Sequence, residues 1–213
     1  PSETLAALSE AKQGGETTLL LFSDDAFLEG GRAEWPWEDS PIFVGKALRE
    51  NAVASVIWVV PFRTEKWSLA EAGRYLESRR VPSSGLENAP STTLGTSDGG
   101  FSFAWNGAKI FLTDAARLES VPKPKGGVVA CADASYFARF FLGMATRELA
   151  AGDIPRAADI ARAAERFRPS LWVLQSRVRA AEHAFVLSGD AMLLSLKRAL
   201  GAKEKNENLD AAR

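Results

Sequence analysis

Val53 to Phe62 reads Val-Ala-Ser-Val-Ile-Trp-Val-Val-Pro-Phe, and no other stretch narrows the fold as much. Five of these ten residues are β-branched Val or Ile, Ser55 is the one polar break, and Pro61 closes the run. A surface helix of that length would need a polar side. A short continuous apolar run is the signature of a strand covered on both faces. Such a strand needs helices above and below it, so the run implies a layered α/β core. We therefore expect an α/β fold: a three-layer core with a mainly parallel or mixed sheet, one β-hairpin and a helical C-terminal region.

Two further runs have the same character. Thr17 to Phe22 is followed by Ser23-Asp24-Asp25, and Gly127 to Ala132 ends in Asp133. Asn106-Gly107 separates Phe101–Trp105 from Ala108–Leu112, which predicts a two-residue hairpin because both turn residues need positive φ. Ser68 with Glu71 forms a capping box and predicts a helix over Ser68–Arg80, with Leu69, Ala72, Tyr75 and Leu76 as its apolar stripe. Ser2–Ala11 and Ile42–Asn51 read as further helices, and Thr113 or Asp114 as the cap of a short one. Pro82–Gly100, rich in Ser, Thr, Gly and Pro, reads as a long mobile loop.

The chain divides into an α/β domain over 1–133, a helical region over 134–202 and a charged tail over 203–213. Apolar spacing predicts helices at Ala134–Ala151, Pro155–Arg168, Ser170–Leu187 and Asp190–Leu200. Gly152, Ala157, Ala164 and Pro169 place small residues and a closing proline where two antiparallel helices approach. With Phe141, Met144 and Ala145 at first-helix packing positions, this stretch resembles one tetratricopeptide repeat. Glu148 and Ala161 depart from the repeat's pattern, and the next unit, from Trp172, fits it poorly. The resemblance implies helix pairs that bind a protein partner; the competing reading is a plain helical cap on the α/β core.

Charge excludes some classes. Lys and Arg total 26 against 27 Asp and Glu, interleaved, which argues against a broad footprint for nucleic acid or anionic lipid. No run reaches the roughly 18 apolar residues of a membrane span. Cys131, the single cysteine, allows no intrachain disulfide, and its apolar neighbours mark a small buried side chain. His183 is the single histidine, so zinc sites and histidine-activated nucleophiles must use it or do without. Pro1 in place of a methionine suggests a processed form or a piece of a longer chain, and the compartment stays open.

The candidate catalytic residues are Asp24 and Asp25 after one strand and Asp133 after another. If the strands are parallel neighbours, these carboxylates share a rim, where they can bind a divalent cation or act as a general base. The competing reading is that each caps a turn. Ser23 and Ser135 flank them, and Trp35-Pro36-Trp37 offers an aromatic contact surface or a loop pinned to the core. Phe22-Ser23-Asp24-Asp25 resembles the nucleophile segment of SGNH or GDSL hydrolases, with Asp25 in the place of the serine. Asp133-Ala134-Ser135-Tyr136-Phe137 is similar to a metal-binding run of arginase-like hydrolases, with Ser135 in the place of the second aspartate. Either descent implies a non-catalytic relative. Arg162, Arg166, Arg168, Arg177 and Arg179, interrupted by Glu165 and Glu182, read as a solvated, salt-bridged helix face. The sequence thus leads to a non-catalytic binding or protein-interaction module. The alternatives are a hydrolase, metal-dependent or not, with its site at Asp24, Asp25 and Asp133, and an accessory domain of a larger enzyme.

Overall fold

The computed structural model describes residues 15–22, 53–61, 64–78, 95–105, 108–133, 136, 157–175 and 194–200. Seven strands form one sheet: β1 (Thr17–Phe22), β2 (Ser55–Val60), β3 (Gly95–Ser97), β4 (Gly100–Trp105), β5 (Ala108–Asp114), β6 (Gly127–Asp133) and β7 (Leu171–Gln175). The helices of the described residues are α1 (Leu69–Ser78), α2 (Ala157–Glu165) and α3 (194–199). The expected helices at Ser2–Ala11 and Ile42–Asn51 lie outside these residues.

The sheet order is β3-β4-β5-β2-β1-β6-β7. β5, β2, β1, β6 and β7 are mutually parallel, and β3 and β4 add an antiparallel edge. The α/β reading with a mixed sheet is therefore correct. The Val53 run becomes β2, between β1 and β5, with Trp58, Val59 and Val60 wholly buried. Alternation along each strand divides the core into two layers. Leu19, Leu21, Val56 and Trp58 face the layer that holds Ala72 of α1. Leu20, Phe22, Ile57 and Val59 face the layer that holds Ile160 and Ala164 of α2 and Leu196 of α3.

The hairpin is present: Trp105 pairs with Ala108, which leaves two residues between β4 and β5. The capping box of α1 is also present. Glu71 Oε2 accepts from the Ser68 amide at 2.9 Å, and the Ser68 hydroxyl accepts from the Glu71 amide at 3.3 Å. Ala72 is buried as expected, whereas Leu69 is 45% exposed. Leu69 is the first residue of the helix and lies before the turn that meets the sheet.

Two expectations are corrected. Leu171–Gln175, read as the start of a helix over Ser170–Leu187, is strand β7. β6 offers a hydrogen-bonding edge there, and the Ser170 amide already donates to the Val128 carbonyl at 2.9 Å. Tertiary pairing overrides a local pattern that fits either element. The region after Asp133 thus adds a strand to the sheet as well as helices. The second correction concerns Pro82–Gly100. Its last residues form β3 and a turn, with Ser97 pairing Gly100 across Asp98-Gly99. Asp-Gly is a hairpin dipeptide like Asn-Gly, but β3 is fully exposed and carries no apolar alternation to announce it. Gly100 has φ +135, and a Cβ there would strike the Leu112 carbonyl, so glycine is required at that position.

Candidate carboxyl-edge site

β1, β2, β5, β6 and β7 run the same way, so their C-terminal ends form one rim. The chain moves one way across the sheet from β1 to β2 to β3, and the other way from β5 to β6 to β7. Right-handed crossovers place connections of opposite direction on opposite faces. Accordingly α1, between β2 and β3, packs on one face, and α2, between β6 and β7, packs on the other. The reversal falls between β1 and β6. In open α/β sheets, that is where the connections part and leave a crevice for a ligand.

Asp133 stands at this point. It is the last residue of β6, level with Gln175 of β7, and the neighbouring pair Phe22–Ala132 ends β1. The two strands expected to carry acidic residues are therefore adjacent and parallel. Asp24, Asp25, Ser23, Ser135, Trp35, Trp37 and His183 lie outside the described residues, as do Arg177 and Arg179. Among the described residues, no three His, Cys, Asp or Glu side chains are grouped as metal ligands.

The best-defined polar group on the rim is Asp114, at the end of β5 and only 3% exposed. Its Oδ2 accepts from the Thr64 amide at 2.6 Å and the Thr64 hydroxyl at 2.7 Å. Its Oδ1 accepts from the Ala116 amide at 2.9 Å and the Arg117 amide at 3.1 Å. The sequence suggested a capping role for Asp114. The local half of that role is present, because Oδ1 holds the turn that precedes the 3-10 turn Leu118–Ser120. The other half, a tie to the segment after β2, spans 50 positions and leaves no local signal. Arg117 extends the same corner, donating to the Asp98 carbonyl at 2.9 Å and the Ser97 carbonyl at 3.0 Å.

Nearer the reversal, the rim is aromatic. Tyr136 is fully buried and meets Phe22 edge-on at 5.7 Å, and Trp172 stacks on Phe22 at 5.9 Å. Ala130 and Ala132, on the same face of β6, leave room for these rings between β1 and β7. Burial, and after it the negative charge of Asp114, pushes the Tyr136 phenol far above its usual value, so the ring stays neutral. Cys131 is buried in the opposite layer, as its neighbours implied.

The arginine face is solvated where it is described. Arg162 and Asp159 form an exposed pair at 3.3 Å, a kind of contact worth little to stability. Arg166 instead donates to the Leu118 carbonyl at 3.2 Å and covers the Phe167 ring. No helix among the described residues is long and apolar enough to cross a membrane. The geometry defines an α/β protein with a doubly wound sheet. No protein-family model, curated protein or solved structure matches the chain.

Proposed function

We propose that this chain is a non-catalytic binding module that takes a ligand or peptide at the carboxyl rim between β1 and β6. The observation that carries this reading is the reversal of connection direction between two adjacent parallel strands, which is where open α/β sheets hold ligands. Asp114 on the rim supports it, because both of its carboxylate oxygens are engaged in building the scaffold. The Trp35–Trp37 segment and the helical region after Asp133 are the proposed contacts for a protein partner. Amide chemical-shift mapping against a library of small metabolites and short peptides tests the proposal. Shifts gathered at Phe22, Asp133 and Gln175 are expected. Shifts gathered elsewhere, or none, overturn it.

A second reading rests on the place of Asp133 beside the strand that leads to Asp24 and Asp25. In it the three carboxylates activate water or hold a divalent cation for hydrolysis. Magnesium, manganese and calcium titrations read by calorimetry, with ester and phosphate-ester turnover, address it. Signals that survive Asp133→Asn remove this reading.

A further inference from the structure

We propose that the outer edge of β7 pairs with β7 of a second copy, giving an isologous dimer with one continuous sheet. The directions of the backbone groups come first. The Ser170 amide donates to Val128 of β6. The Gly127 amide donates to Glu16, next to β1, so Val128, Ala130 and Ala132 face β7; with Ala130 level with Trp172, the N–H and C=O groups of Leu171 and Val173 turn toward β6, and those of Trp172 and Leu174 away from it. Among the described residues, β6 is the one strand that pairs with β7.

The two edges of the sheet differ in how they resist pairing. Exposed edge strands are normally blunted by being short or bulged, or by carrying lysine or proline. β3 is three residues long, Gly-Thr-Ser, and exposed throughout. β7 reads Leu-Trp-Val-Leu-Gln, with no charge, proline or glycine, and Leu171 is 40% exposed.

The strand is also complementary to itself, as a two-fold interface requires. An antiparallel pair centred on Val173 sets Leu171 opposite Gln175 and Trp172 opposite Leu174. The outward residues 172 and 174 then face one another, each facing pair exchanging two hydrogen bonds. No like charges meet across the axis.

The test is the mass of the full chain by sedimentation over a concentration series. The expected result is a shift toward twice the 23.0 kDa chain mass as concentration rises. Leu171→Lys is expected to weaken association at least tenfold, while Thr96→Lys on β3 leaves it unchanged. Hydrogen exchange provides a second measurement: the Trp172 amide is expected to lose protection on dilution. A chain that stays monomeric, or a dimer indifferent to Leu171→Lys, overturns the proposal. So does a Trp172 amide protected equally at all concentrations, which would mean that the chain covers this edge itself.

Discussion

Replacing Asp114 by asparagine removes the charge and one acceptor while keeping the shape. The amide oxygen will stay with the Ala116 and Arg117 amides, since turning it away would leave two donors facing the new NH2. The NH2 then faces Thr64. The Thr64 hydroxyl can rotate to accept, but its backbone N–H, now 2.6 Å from a carboxylate oxygen, meets a donor instead. One buried amide loses its acceptor, which costs about 1–3 kcal/mol. The two surviving bonds lose their ionic character, about another 1 kcal/mol together. The sum is about 3 kcal/mol of a stability that is itself only about 5–15 kcal/mol. Urea unfolding followed by tryptophan fluorescence measures it. With a slope of about 2 kcal/mol per molar for a chain of this size, the midpoint should fall by about 1.5 M. A fall of less than about 0.25 M would show that the carboxylate does not hold the corner between β2 and β5, and the account of Asp114 as scaffold would fail.

Gly126→Ala should cost about 3 kcal/mol, because its Cβ would land on the Glu16 carbonyl, whereas Gly127→Ala, whose Cβ would meet none of the described residues, should cost under about 1 kcal/mol; thermal melts of the two separate close approach from general intolerance. Among the described residues the buried Thr17 hydroxyl has no hydrogen-bond partner, so Thr17→Val should raise stability by about 1 kcal/mol in urea unfolding, and a loss of stability would refute that reading. Tyr136 titrates higher when folded than when unfolded, so the folded chain keeps a proton the unfolded one loses above about pH 10. Its contribution is therefore intact below that pH and declines above it. By about pH 11 the wild type should have lost about 1.4 kcal/mol that Tyr136→Phe retains.

The parts of the fold that could be read from residues alone are those whose signal is local. β2 announces itself by continuous burial, the β4–β5 hairpin by Asn106-Gly107, and α1 by Ser68 and Glu71. β7 and β3 were not legible, because each is a strand only by virtue of the strand beside it. Leu171–Leu174 is too short to separate the two periodicities, and β3 has no apolar residue at all. The site divides in the same way. That Asp133 ends a strand could be foreseen, and the parallel neighbour β1 follows from two similar runs. The Thr64–Asp114 tie could not be foreseen, since it joins residues that meet only after β2 and β5 have paired.

The place of β1 also sets an order of events in folding. Its partner on one flank, β2, follows soon in the chain, but Thr17 meets Gly127 on the other, more than a hundred positions later. Non-local closure of that kind is slow, whereas a hairpin such as β4–β5 forms in microseconds. During synthesis the leucine-rich first strand must therefore wait with one flank bare until β6 has emerged. A chain cut short before Gly127 would keep that flank open, and it should be found in the insoluble fraction.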